Sequence, residues 1–110
     1  MAIQYWKTIE LTISAGGSKE DSWTPETNVR IGKIYVIGKG SVDLSLIDLY
    51  IEVAGNTKTK AYIPAKVLDP SNQAFPEIDW TITSGSKIYV KATNNDTSDH
   101  TIRIVFEVIT

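Results

Sequence analysis

Apolar and polar residues alternate with a period of two along most of this chain, and most regularly in its last third. Ile78, Trp80 and Ile82 fall on one parity, as do Ile88, Val90 and Ala92, and again Ile102, Ile104, Phe106 and Val108. Side chains alternate across a strand, so each set would line one face. Ser84-Gly85-Ser86 and the polar run Thr93-Asn94-Asn95-Asp96-Thr97-Ser98-Asp99 separate the three runs. Alternating runs punctuated in this way are the pattern of half-buried antiparallel strands. Three strands with one oily face each need a second sheet to cover them.

The same reading extends upstream. Ile3, Tyr5, Ile9, Leu11 and Ile13 share a parity broken only by Lys7, and Trp6 falls on the polar parity, pointing away from the core. Lys19 to Asn28 is polar and reads as a long loop, with one short extended piece near Ser22-Trp23-Thr24. Ile34, Tyr35, Val36 and Ile37 are apolar on both faces, which predicts a central, well-covered strand. Ile47, Leu49, Ile51 and Val53 alternate with Asp48, Tyr50 and Glu52, and Ala54-Gly55-Asn56 predicts a hairpin turn with Gly and Asn at positive φ. Pro64 to Pro76 reads as a connection that crosses between sheets, with Ala65-Lys66-Val67-Leu68 as a helical turn or strand fragment. The pattern predicts an all-β antiparallel sandwich of seven to eight strands near 3–14, 29–38, 44–53, 58–63, 78–83, 87–93 and 101–109. Ile9, Leu11, Ile34, Val36, Leu49, Ile51, Ile82, Val90, Ile104 and Phe106 are its expected core, with Trp80 beside them.

Composition narrows the function classes. The 110 residues suit one domain spanning 1–110. There is no Cys, hence no disulfide framework and no thiolate chemistry. A formal charge of −2 argues against a general nucleic-acid binder, which needs a basic face. No apolar run approaches the ~20 residues of a membrane span. The first residues lack a basic segment followed by an apolar one, so no signal peptide is expected and the cytoplasm is the expected place of synthesis.

Candidate chemistry is sparse. His100 is the single histidine; Asp96 or Asp99 would have to orient it, no Gly-x-Ser-x-Gly elbow accompanies it, and no catalytic residue is assigned. The carboxylates Glu20, Asp21, Glu26, Asp43, Asp48, Glu77 and Asp79 show no spacing that forces a glycosidase pair together. One His and no Cys leave no zinc site, and no cofactor is expected. Asn94, Asp96 and Asp99 put several oxygens in one loop and are weak calcium candidates, against the simpler reading that Asn and Asp bond their own backbone in turns. Asn95-Asp96-Thr97 matches the glycosylation sequon, which without a signal peptide is expected to be coincidence. Trp6 and Trp23 carry more information, because an indole on a polar parity or in a polar loop needs a cover. Three readings stay open: a plug in which Trp23 closes the end of the sandwich, a subunit or partner interface, and a sugar-stacking platform.

The order of signals resembles small virion structural proteins built on a single jelly roll. The residues that carry the likeness are Val29-Arg30-Ile31-Gly32-Lys33-Ile34-Tyr35-Val36, Leu46-Ile47-Asp48-Leu49-Tyr50-Ile51 and Ala61-Tyr62-Ile63-Pro64. The closing block adds Trp80-Thr81-Ile82, then Gly85-Ser86-Lys87-Ile88-Tyr89-Val90-Lys91-Ala92-Thr93-Asn94-Asn95, then Ile102-Arg103-Ile104-Val105-Phe106. This ending looks like that of phage and archaeal-virus capsid, penton and decoration domains. The resemblance implies a jelly-roll, non-enzymatic subunit that assembles with itself and with other virion proteins, located in the virion after assembly in the host cytoplasm. Lys7, Lys33, Lys58, Lys60, Lys87 and Lys91 would protect strand edges. The alternative function is a carbohydrate-binding β-sandwich module that takes glycan on exposed Trp and Tyr.

Overall fold

The structure is a computed structural model and describes residues 3–57, 62–72 and 77–109. These form β1 (Ile3–Ile13), β2 (Ser18–Trp23), β3 (Val29–Gly38), β4 (Ile47–Val53), β5 (Asn56–Thr57), β6 (Ile63–Pro64), β7 (Trp80–Ile82), β8 (Ile88–Asn94) and β9 (His100–Ile109). Single 3-10 turns occupy Leu44–Leu46 and Ala65–Leu68. All strand pairs are antiparallel, in two sheets. The first runs β1-β9-β3-β7; the second runs β2-β8-β4, with β5 and β6 both on the outer edge of β4. The nine segments therefore fill eight strand positions, and the molecule is an all-β sandwich.

The core lies between the two inner faces. All ten residues the alternation selects are buried, joined by Ile13, Ile31, Ile47, Ile88, Ile102 and Val108. The predicted strands at 29–38 and 101–109 match β3 and β9 within a residue, and 3–14 and 87–93 match β1 and β8 as closely. The segment read as 44–53 opens with a 3-10 turn, where Asp43 Oδ1 accepts from Ser45 N at 3.0 Å and holds the chain out of the ladder until Ile47. Ordered strand at 78–83 is confined to Trp80–Ile82. Of the strand predicted at 58–63, residues 58–61 lie outside the described residues, Lys58 and Lys60 among them, and Ile63 falls in β6.

Three expectations are corrected. Residues 19–28 are not all loop, because β2 pairs with β8 from Ser18 to Trp23. Five of its six side chains are exposed, so the strand is held by its backbone and leaves no alternation to read. Secondly, β3 is interior to its sheet but is not covered on both faces. A bulge between Ile31 and Lys33 resets the alternation, so Val29 and Ile31 point inward and then Ile34 and Val36 do. Gly32 sits at this bulge, where an added Cβ would lie 3.0 Å from Glu107 Oε1 and 3.2 Å from Ile109 Cδ1. Ile37, on the other parity, is left 44% exposed. Thirdly, the hairpin after β4 turns on Ala54 and Gly55 at φ of 51° and 81°, while Asn56 already belongs to β5. Two positive-φ residues in succession are what a two-residue hairpin loop needs to match strand twist.

Candidate binding surfaces

The loop between β8 and β9 holds the polar residues that chemistry would have needed, and it uses them on itself and its neighbours. Asn94 is fully buried. Its Nδ2 donates to Ile13 O at 3.1 Å and Ser98 O at 2.8 Å, and its Oδ1 accepts from Asp96 N at 2.9 Å. Asp99 Oδ1 accepts from Ala15 N at 2.9 Å, and Asn95 Nδ2 donates to Asp48 Oδ2 at 2.9 Å. His100 Nε2 lies 2.8 Å from Asp96 Oδ2. That contact, with a backbone bond from Thr97, holds the Asp96 carboxyl below the usual carboxylate range. The His100 partner is thus Asp96, four residues back, and among the described residues no serine hydroxyl joins the pair. The oxygens of Asn94, Asp96 and Asp99 each face a different donor, and no group of three or more His, Cys, Asp or Glu gathers among the described residues. The loop ties β8 and β9 to the β1–β2 turn.

The two tryptophans go to different places. Trp23 ends β2 and turns inward, its ring 5.9 Å from that of Phe106. Lys7 Nζ sits 5.9 Å from the Trp23 ring centroid, within cation–π range. This accounts for Lys7 on the apolar parity of β1: its ammonium caps the indole that closes that end of the core. Trp6 lies on the outer face of the first sheet, 51% exposed, and its ring meets Tyr35 at 5.9 Å across β9. Val105 is in register with Thr8 and Tyr35, one outward position along β9 from Glu107, the partner of Trp6. Trp6, Tyr35, Val105 and Ile37 therefore form one apolar strip on an outer face. Glu10, Arg103, Lys33 and Glu107 surround it, with Glu10 Oε1 accepting from Arg103 Nε at 3.0 Å. Trp6 and Trp23 lie on opposite sides of their sheets and do not form a common platform.

The second sheet carries an aromatic group that periodicity alone had passed over. Tyr50 on β4 and Tyr89 on β8 stand on the outward parity, diagonal to each other, with ring centroids 6.3 Å apart. Tyr62 lies 5.8 Å from Tyr50 on its other side. Carboxylates accompany the rings: Tyr50 Oη donates to Glu52 Oε1 at 3.0 Å, and Tyr89 Oη donates to Glu20. The signal was present as tyrosines among charged residues in Asp48-Leu49-Tyr50-Ile51-Glu52 and Lys87-Ile88-Tyr89-Val90-Lys91. Seeing the group required knowing that β4 pairs with β8.

The hydrogen bond to Glu20, then burial and the negative charge of Glu20, push the Tyr89 phenol up to about 12. Alkaline ultraviolet titration should show one tyrosine ionising near that value, and Glu20→Gln should bring the step back toward the ordinary phenol value of ~10. A folded-state pKa raised in this way adds stability that is complete below ~10 and is lost as pH climbs through the folded value. An unaltered late step in the variant would break the assignment.

Comparison with protein-family models, with curated proteins and with solved structures finds no match.

Proposed function

We propose that this chain is a non-enzymatic structural subunit of a virion, a single jelly roll that assembles with copies of itself and with other virion proteins. The observation that carries the reading is the strand order. Counting β5 and β6 as one position, the sheets run 1-8-3-6 and 2-7-4-5. This interleaving of eight strands between two sheets supports a jelly roll, an architecture that recurs in viral capsid domains. The pattern of strand and turn signals that resembles virion structural proteins points the same way.

The outer face of the first sheet supplies a surface for assembly. Rigid aromatic side chains such as Trp6 and Tyr35 are favoured at interface cores, with a polar rim around them. The rim here interleaves two cations, Lys33 and Arg103, with two anions, Glu10 and Glu107, so a second copy turned about a two-fold axis can set unlike charges against each other. Among the described residues no strand pairs with the outer side of β1, which borders this face and offers a backbone edge.

Sedimentation at high protein concentration should reveal a closed oligomer. Trp6→Glu should weaken it at least thirtyfold, about 2 kcal/mol, the scale of an interface anchor, while leaving the melting temperature of the dilute monomer unchanged. A strictly monomeric protein that never enters a particle overturns the proposal.

A further inference from the structure

The outer face of the second sheet differs in kind from that of the first. Across it, Glu20, Lys91 and Tyr50 lie side by side, with Ser22, Tyr89 and Glu52 in the row beyond. Tyr62 flanks Tyr50 and is 43% exposed. Every ring on this surface is a phenol, and its neighbours are carboxylates, hydroxyls and an ammonium. The two phenol–carboxylate bonds fix Glu52 and Glu20 beside the rings, so the polar groups are set before any ligand arrives. Among the described residues, the second oxygen of each carboxylate accepts no hydrogen bond. An open groove of about 460 Å³ lined by Ser18, Lys19, Glu20 and Lys91 continues the surface toward β2.

We infer that this face is a carbohydrate-binding surface for neutral oligosaccharides. A pyranose ring offers a patch of C–H groups on its face and hydroxyl donors around its rim. The C–H patch suits the negative face of an aromatic ring, and the rim hydroxyls suit fixed carboxylate acceptors. Tyr62, the most exposed of the three, and Tyr50 supply the ring contact. Glu52 and Glu20 take the hydroxyls, and Lys91 between them donates to a ring or hydroxyl oxygen. The Glu20 and Glu52 carboxylates, held beside the rings, repel an anionic sugar, so acidic sugars are disfavoured. The rings are tilted by 47° and 73° to one another. They form a stepped surface that a twisted single chain can follow and a flat crystalline polymer cannot.

This inference does not rest on the virion reading, because the assembly strip around Trp6 lies on the other sheet. The test is NMR titration of the intact chain with cellohexaose, mannohexaose, chitohexaose and a sulfated hexasaccharide. At least one neutral hexasaccharide should shift the ring signals of Tyr50, Tyr62 and Tyr89. Tyr62→Ala should weaken that binding at least tenfold with no change in melting temperature, Tyr62→Phe should retain it, Glu52→Gln should weaken it, and Trp6→Ala should leave it unaltered. Silence with every sugar at millimolar concentration overturns the inference. So does binding that survives Tyr62→Ala, or binding of the sulfated sugar alone.

Discussion

Phe106→Ala should lower the stability of this protein more than any other truncation in the core. Among the described residues Phe106 is the largest fully buried side chain, and it sits on β9, the strand that bonds to both β1 and β3. Its register partners are Lys7 and Ile34, and its ring meets Trp23 from the opposite sheet. Removing it forfeits both the transfer of the ring from water and the packing around the void, at about 3–5 kcal/mol. Domains of this size have about 5–15 kcal/mol in total, so the variant stands near the edge of folding. At about 4–8 °C per kcal/mol, melting should fall by roughly 12–40 °C. Urea and thermal denaturation followed by circular dichroism measure this directly. Phe106→Leu keeps most of the volume and should cost far less, near 1.5 kcal/mol. A loss below about 1 kcal/mol on truncation to Ala would mean that the two sheets do not close over this ring.

The second large effect comes from a polar residue. Asn94 closes β8 on the inward parity after Ile88, Val90 and Ala92, where a hydrophobe would ordinarily stand. Its amide satisfies the carbonyls of Ile13 and Ser98 and the N–H of Asp96. Asn94→Ala strands all three near the core, and a buried group without its partner costs about 1–3 kcal/mol. With the lost volume added, the total should reach about 2–4 kcal/mol. Asn94→Asp is the sharper probe. The new carboxylate has no donors for the two carbonyls and sets negative charge against their lone pairs. Burial and that repulsion raise its pKa, so its penalty should grow as pH rises and shrink in mild acid, where the protonated form donates again. Equal stability loss at pH 5 and pH 8, by denaturant titration, would refute this account.

These two residues also mark what the sequence could and could not tell. Phe106 was legible as core because one parity of β9, Ile102, Ile104, Phe106 and Val108, is apolar throughout, and the same pattern marks Val90 and Leu49. Asn94 was not legible as core, since it opens a run of Asn, Asp and Thr that reads equally as a turn or as a cluster of oxygen ligands. Only the position of Ile13 O, eighty-one residues away, separates those readings. Strand β2 was hidden because an edge strand with solvated side chains writes nothing into hydrophobic periodicity. The doubly apolar run in β3 looked like a covered strand because the bulge at Gly32 shifts its parity; the outward remainder, Tyr35 and Ile37, is surface. The tyrosine face was spread over β4, β8 and the residue before β6, and needed a pairing register that no local pattern contains.

The neighbour relation between β1 and β9 bears on how quickly the protein reaches its native state. Ile3 lies opposite Ile109, so the first sheet cannot form until segments from the two extremes of the described chain have found each other. Loop-closure entropy must be overcome before those bonds reward it, and all-β domains of this kind fold in milliseconds to seconds. Throughout that interval β1 and β3 lack the strand that belongs between them, and their open sides can recruit another unfinished chain instead. The long search for β9 makes refolding yield depend on concentration: dilution favours the native sheet, and crowded nascent chains favour aggregates.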